Sequence, residues 1–146
     1  MKTALVGLLL SVAIGGLAQQ AFQDADQVAT LTVRLDGFKH EQGTAMVALT
    51  NAQGFLASRG AVRAQSTTIR DGLAICVFKD VPYGKYAVQA YHDENNNKKL
   101  DTGLFGIPRE PYGFSNDARG SFGPPKYEEA EFSLAAPMVT INIHVK

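Results

Sequence analysis

The sequence predicts an all-β fold: an antiparallel two-sheet Greek-key sandwich of about seven strands with one long ordered loop. Three observations lead to this prediction. Apolar and polar residues alternate with period two in several short segments, Gly, Pro and Asp mark tight turns between them, and no segment has the period of an amphipathic helix. Because strands follow strands without βαβ units, a sandwich is favoured over a parallel α/β fold. The chain has 146 residues, 45% of them hydrophobic, enough for one domain with a sizeable core.

The N-terminal 18 residues have the pattern of a secretory signal peptide. Lys2 precedes an apolar segment over 4–17 that is too short to span a bilayer, and small residues stand at Gly16 and Ala18, where a signal peptidase would read them. We therefore expect an exported protein, periplasmic or extracellular, without an integral membrane span after cleavage. The predicted organisation is a signal peptide over 1–18, a flexible leader over 19–29 and the sandwich domain over 30–146.

The first half of the domain contains two clear strand patterns. Residues 31–35 alternate as a half-buried strand, and residues 44–50 are apolar on both faces, which predicts a central strand. The turn over 37–43 suggests that these two strands pair as an antiparallel hairpin. Residues 51–65 hold no period, and we expect a short helical turn or an irregular crossover there.

The second half supplies five further strand predictions. Tight turns at Asp71-Gly72 and over 80–84 separate the first three of these strands. The lone cysteine, Cys76, lies in an alternating apolar pattern with Ala74 and Phe78, so it is expected to be a buried hydrophobic residue without a disulfide partner. The predicted strands are 66–70, 73–79, 85–92, 130–134 and 139–145.

The connection over 93–127 is the anomaly of this chain. Structureless loops of about 35 residues are uncommon in compact domains and are usually functional or disordered. This loop contains many aromatic and aliphatic residues, which argues against disorder. The sequence therefore predicts a packed loop, held by polar residues in 93–101 and by a second group in 106–116.

Alternating oxygen-bearing side chains in 93–101 form a candidate calcium site. A calcium loop directs several carboxylate, amide and carbonyl oxygens at one ion. Three features weaken that pattern here: Lys98 stands where such loops place Gly, only two ligands are charged, and Leu104 stands where a closing Glu is expected. The same pattern is typical of an Asn-rich turn without metal. Both interpretations stay open, and the candidate ligands are Asp93, Asn95, Asn97, the carbonyl of Lys99, and Asp101.

Residues Glu110, Tyr112 and Phe114 are the candidate binding residues, with a polar group next to an apolar edge. The alternative for the two aromatic residues is a satellite core beneath the loop. The chain has 14 basic and 14 acidic residues and no basic face, which argues against a nucleic-acid partner.

The three histidines, His40, His92 and His144, show neither HxH nor HExxH spacing, which argues against a zinc centre. The chain also lacks a GxSxG motif and a P-loop.

Three segments resemble known families. Residues 78–86 resemble the F-x-D-[VL]-P-x-G-x-Y signature of transthyretin-like (prealbumin-like) and carboxypeptidase-regulatory-type sandwiches. Residues 92–101 and 106–116 are similar to the bacterial exported domain-of-unknown-function family 2141. That resemblance implies a transthyretin-like β-sandwich, secreted or periplasmic, with no established activity. The C-terminal residues 143–146 lack the Tyr-Arg-Gly-Ser ending of the hydroxyisourate hydrolases, a competing enzyme family on this fold.

We therefore expect an exported, non-enzymatic β-sandwich module whose long loop forms a binding or stabilising surface for a protein or carbohydrate ligand. One alternative is a calcium-stabilised adhesion or carbohydrate-binding module. The other is a small periplasmic hydrolase that uses His92 with Asp93 or Glu110 as acid–base groups.

Overall fold

A computed structural model describes residues 27–146 of the chain, so the predicted signal peptide and most of the predicted leader lie outside the described residues. Two sheets of three and five strands pack face to face as a β-sandwich, which confirms the predicted fold class. The strands are β1 (Val28–Asp36), β2 (Thr44–Thr50), β3 (Ala61–Thr67), β4 (Ala74–Pro82), β5 (Gly84–Asp93), β6 (Tyr112–Phe114), β7 (Phe132–Leu134) and β8 (Met138–His144).

The core lies between the sheets and is built from the alternating residues of β1, β2, β4 and β5. The inward residues of β1 are fully buried, and so is Cys76 on β4, where burial raises the pKa of the thiol to about 11. On β5 the side chains of Tyr86, Val88 and Ala90 point inward, as their period predicts. Local alternation therefore identifies the buried face of these strands correctly.

Strand pairing departs from the prediction in two ways. β1 and β2 do not form a hairpin, because they lie in different sheets. The three-stranded sheet has the order β4-β1-β8. The larger sheet has the order β3-β2-β5-β6, and β7 also pairs with β5. The connection over 37–43 crosses between the sheets instead. In addition, β1 and β8 pair in parallel, so the sandwich is not wholly antiparallel. Alternation within a strand does not encode its neighbour or its direction.

Three predicted boundaries also need correction. The predicted leader extends two residues too far, since β1 begins at Val28 and Ala29 is buried. β3 occupies 61–67 rather than 66–70, and only 51–60 of the predicted crossover forms turns. β3 is an edge strand with mostly exposed residues, so no period marks it. The tight turn at Asp71-Gly72 is confirmed, with positive φ at both residues.

The long loop is ordered, as predicted. It contains two 3₁₀ turns (Leu104–Gly106 and Ser115–Asp117), the additional strand β6, and at its end the short helix α1 (Tyr127–Ala130). Part of it covers the outer face of β5 with a second cluster of buried apolar residues that includes Ala87, Phe114 and Ala130. Within residues 27–146, no helix has the length and hydrophobicity that crossing a membrane requires.

Candidate functional site

The end of β5 carries two adjacent buried polar residues that point in opposite directions. His92 follows the inward period of Tyr86, Val88 and Ala90, whereas Asp93 faces outward beneath the start of the long loop. Their side chains are 0% and 1% exposed, respectively. A buried polar group without hydrogen-bond partners destabilises the folded state. The contacts of each residue therefore indicate its role.

Asp93 binds the backbone of the loop that follows it. Its Oδ1 accepts a hydrogen bond from the N–H of Asn97 at 3.1 Å, and its Oδ2 accepts one from the N–H of Lys98 at 2.8 Å. Asn96 and Lys98 adopt φ values of 57° and 63°, so the chain turns sharply at both residues. The carboxylate thus acts as the centre of a tight turn that needs no glycine at Lys98.

Glu110 closes the same segment from the other side. Its Oε1 accepts a hydrogen bond from the N–H of Glu94, and its Oε2 accepts one from the N–H of Asp101, both at 2.9 Å. The side chain is only 5% exposed. One carboxylate therefore clamps both ends of 94–101, and the backbone N–H of Arg109 adds a bond to the carbonyl of Asp101 at 2.8 Å.

Side-chain amides complete this arrangement. Asn95 and Asn97 each donate from Nδ2 to the carboxylate of Asp101, at 2.6 and 2.9 Å. The Oδ1 of Asn97 accepts a hydrogen bond from the N–H of Lys99, and the Oδ1 of Asn95 accepts one from the N–H of Asn97. We name this group the Asp93–Glu110 cluster: Asp93, Asn95, Asn97, Asp101 and Glu110.

The structure thus brings four of the five candidate calcium ligands together with Glu110, and Lys99 joins them through its N–H. Their side-chain oxygens accept hydrogen bonds from the protein's own N–H groups, which is the geometry of the Asn-rich turn. The calcium site stays a prediction, and its test is given in the Discussion.

Beside this cluster, the outer face of the five-stranded sheet forms the floor of an open trough. The strand register places Ser66, Met46, Tyr91 and Tyr112 in one row across β3, β2, β5 and β6. Burial, together with the nearby negative charges of the Asp93–Glu110 cluster, raises the pKa of Tyr91 to about 12. Tyr91 therefore presents a neutral phenol to the trough at physiological pH.

Two loop segments form the rims of the trough, which has a volume of about 1470 Å³. On one rim, Phe105 is 98% exposed at the tip of a turn closed by a hydrogen bond from the N–H of Gly103 to the carbonyl of Ile107. On another, Phe122 is 106% exposed. Phe105 also adopts a φ of 60°, a conformation that non-glycine residues rarely take.

Residues 33–142 of the chain match a family described as "Uncharacterized protein conserved in bacteria (DUF2141)". The chain belongs to this family. The match extends from within β1 to within β8, so it includes the Asp93–Glu110 cluster and the trough, and it confirms the resemblance seen in the sequence. No curated protein and no solved structure matches the chain.

The three predicted binding residues of this DUF2141 member are one buried carboxylate and two aromatic residues whose ring centroids lie 6.0 Å apart. Glu110 is a buried member of the Asp93–Glu110 cluster, and Phe114 packs in the second apolar cluster beneath the loop. Tyr112 packs against the same cluster and lies in the row along the trough floor, where the guanidinium of Arg119 lies 5.4 Å from its ring centroid. Both aromatic residues thus belong to a satellite core, and because they also line the trough, their role in binding stays a prediction.

His92 is not paired with the carboxylates that the hydrolase alternative requires. Its Nε2 lies 2.6 Å from the carbonyl oxygen of Gln42, while the oxygens of Asp93 and Glu110 accept backbone N–H groups. Gly43, with φ of 93°, lets the β1–β2 connection approach β5 so closely that a Cβ there would overlap the carbonyl oxygen of Asp93. This approach places Gln42 against His92.

The neighbours of His92 are not evident from the sequence. The ring of His40 lies 4.9 Å from the ring of His92, centroid to centroid, and the carboxylate of Glu94 contacts His40. His40 and His92 are 52 positions apart, so no local spacing could have signalled their proximity. Only the crossover between the two sheets brings them together.

Proposed function

We propose that this DUF2141 member is an exported, non-enzymatic binding module whose trough receives an apolar segment of a partner protein. The observation that carries the proposal is the pair of fully exposed aromatic side chains, Phe105 and Phe122, above a floor that contains Met46 and Tyr91. Burying one Phe side chain is worth about 1.5–3 kcal/mol, so leaving two exposed on the rims of one depression favours a surface that becomes covered.

The Asp93–Glu110 cluster has a clear place in this proposal. The segment 102–108 lies between Asp101 and Arg109. The N–H of Asp101 donates to Glu110, and the N–H of Arg109 donates to the carbonyl of Asp101. A segment fixed at its base loses little conformational entropy when its tip binds, and preorganisation of this kind strengthens binding. The cluster therefore orders the rim that carries Phe105 rather than binding the ligand itself.

A protein segment fits the trough better than a sugar does. Aliphatic side chains accompany the aromatic ones, since Leu104 and Ile107 flank Phe105 and are largely exposed. A hydroxyl-rich ligand would leave its polar groups without partners against such a rim. Carbohydrate binding is the competing outcome of the test below.

The proposal that the protein is not an enzyme rests on the positions of the candidate acid–base groups. The buried ring of His92 has no substrate-accessible surface, and the carboxylates of Asp93 and Glu110 hold the loop backbone. General acid–base catalysis requires a group within hydrogen-bond reach of the substrate.

Export rests on the signal-peptide pattern over 1–18. Intact-mass analysis of the protein from the periplasm or the culture medium is expected to find a mature chain that begins at Gln19. A full-length chain retained in the cytoplasm would contradict export.

The binding proposal is tested by selecting peptides from a displayed random library on the immobilised protein. Selected peptides should be rich in apolar side chains. Their affinity should fall by at least about tenfold in the double variant F105S/F122S, since two apolar contacts are lost. Met138, largely exposed on β8, supplies the matched control M138S, which should bind normally.

Both variants should unfold at the wild-type temperature, because the altered side chains are at the surface. Selected peptides that bind F105S/F122S as well as wild type, or a library that yields no binder, would overturn the proposal. Binding on a glycan array without peptide binding would replace it with the carbohydrate alternative.

A further inference from the structure

Three side chains meet at the end of the sandwich, on the side of β5 opposite the Asp93–Glu110 cluster. His92 comes from the inner face of β5, Glu94 from the first residue after it, and His40 from the β1–β2 crossover. Their ligand atoms all lie within 4.8 Å of one another. We name this group the histidine cluster.

The protonation of His92 follows from its one hydrogen bond. A carbonyl oxygen only accepts, so the 2.6 Å contact with Gln42 requires the hydrogen on Nε2 of His92. In the neutral ring, Nδ1 then carries a lone pair. Among residues 27–146, none supplies a hydrogen-bond partner to that fully buried nitrogen.

An acceptor left unpaired in the interior costs about 1–3 kcal/mol, and native structures rarely tolerate one without a reason. A doubly protonated ring would not remove the difficulty. The nearest carboxylate oxygen, on Glu94, lies 3.8 Å from Nδ1, which is beyond hydrogen-bond distance. A fully buried imidazolium without a hydrogen-bonded partner would cost still more.

We propose that Nδ1 of His92, Nε2 of His40 and Oε1 of Glu94 bind a divalent transition-metal ion of the zinc class. In a tetrahedral zinc site with bonds of about 2.0–2.1 Å, neighbouring ligand atoms lie about 3.3 Å apart. Here Oε1 of Glu94 lies 3.1 Å from Nε2 of His40 and 3.8 Å from Nδ1 of His92. His40 and Glu94 are partly exposed and free to adjust, whereas His92 is held in place by Phe38 and Gln42.

The outer partners of the histidine cluster are those that metal sites use. A metal-bound imidazole almost always donates its other N–H to a carbonyl or carboxylate, and the carbonyl of Gln42 has this role for His92. Glu110 fixes the backbone of Glu94 by accepting its N–H at 2.9 Å. The ligand set therefore stands on a prearranged frame.

The donor atoms select the class of ion. Two imidazoles and one carboxylate suit Zn²⁺, Ni²⁺ or Cu²⁺, whereas calcium and magnesium require shells of oxygen. Three protein ligands leave a fourth tetrahedral position, on the side where His40 and Glu94 meet solvent. Water or a donor atom from another molecule would occupy that position.

The test uses untagged protein freed of metal by chelation and titrated with Zn²⁺ by isothermal titration calorimetry. We expect one ion per chain with micromolar affinity or tighter. Loss of an outer partner costs a metal site 10–100-fold in affinity, so we expect His40→Ala, Glu94→Gln and His92→Phe each to cost at least about a hundredfold. Millimolar calcium should not compete.

The matched control is His144→Ala, which removes the only other histidine of the chain, a residue that pairs with Asp36 and is not a member of the cluster. It should bind Zn²⁺ as wild type does. His40→Ala and Glu94→Gln alter partly exposed side chains, so thermal melting should show an intact fold in both.

Visible absorption of bound Co²⁺ should report a tetrahedral site in the wild type and in His144→Ala only. Wild-type protein that binds no Zn²⁺, any of the three cluster variants with unchanged affinity, or an equal loss in His144→Ala would overturn the proposal.

Discussion

His92 and Asp93 are neighbours in sequence, both polar and both buried at the end of β5, yet their surroundings differ in one decisive respect. Each carboxylate oxygen of Asp93 accepts a hydrogen bond from the loop backbone. The ring of His92 has a partner on one side, and among the described residues its Nδ1 has none. Consecutive side chains of a strand point to opposite faces of the sheet. His92 therefore contacts the β1–β2 connection, whereas Asp93 contacts the long loop.

The contrast separates a structural polar group from a functional one. A buried group whose hydrogen-bonding capacity is met stabilises the fold, and removing it should leave several partners unpaired. A buried group with unmet capacity costs free energy in the folded state, and removing it should cost little. On these grounds the Asp93–Glu110 cluster holds the loop, whereas the histidine cluster contains the unpaired nitrogen on which the proposed metal site rests.

The largest expected effect is at Glu110. Glu110→Ala leaves the N–H groups of Glu94 and Asp101 without their acceptor at the base of the loop. Because hydrogen bonds to a charged acceptor are worth about 1.5–3 kcal/mol each and two are lost, we expect the free energy of unfolding to fall by at least about 3 kcal/mol. Urea denaturation measures the change.

Glu128→Ala is the matched control, since Glu128 is exposed on α1 and the chemical change is the same. Its free energy of unfolding should stay within about 0.5 kcal/mol of wild type. Equal effects of the two substitutions would mean that Glu110 does not clamp the loop.

A pair of substitutions at the adjacent residues tests the comparison directly. Asp93→Leu and His92→Phe each replace a buried polar side chain with an apolar one of similar size. We expect Asp93→Leu to cost about 2 kcal/mol, because the N–H of Lys98 loses its acceptor and the N–H of Asn97 keeps only the Oδ1 of Asn95.

His92→Phe should change the metal-free stability by no more than about 1 kcal/mol, since the lost bond to Gln42 is offset by removal of an unpaired nitrogen. Both free energies come from urea denaturation in the presence of a chelator. A larger loss for His92→Phe than for Asp93→Leu would reverse the assignment of structural and functional roles.

The smallest effect concerns calcium. Since protein N–H groups already occupy the side-chain oxygens of the Asp93–Glu110 cluster, we expect millimolar calcium to leave the melting temperature of chelator-treated protein unchanged. An ion that binds only the folded state must raise that temperature. A rise of several degrees, abolished by Asp101→Asn, would instead establish the calcium loop that the sequence pattern suggests.

Local residue order is enough to assign the buried face of most strands. Side chains alternate across a strand with period two, so Leu31, Val33 and Leu35 or Tyr86, Val88 and Ala90 can be assigned to the core from local order alone. It also marked 93–116 as the distinctive region, because carboxylates and amides at alternate positions form turns within a few residues. These properties depend on neighbours in the chain.

Strand pairing and the contacts between distant residues, in contrast, depend on the folded chain as a whole. The parallel pairing of β1 with β8 and the separation of β1 from β2 depend on how the chain closes over long distances, which no local pattern records. The same holds for His40 and His92, which the crossover brings together. The candidate calcium loop could be read from spacing because its residues are consecutive. The histidine cluster could not, because it exists only where two sheets meet.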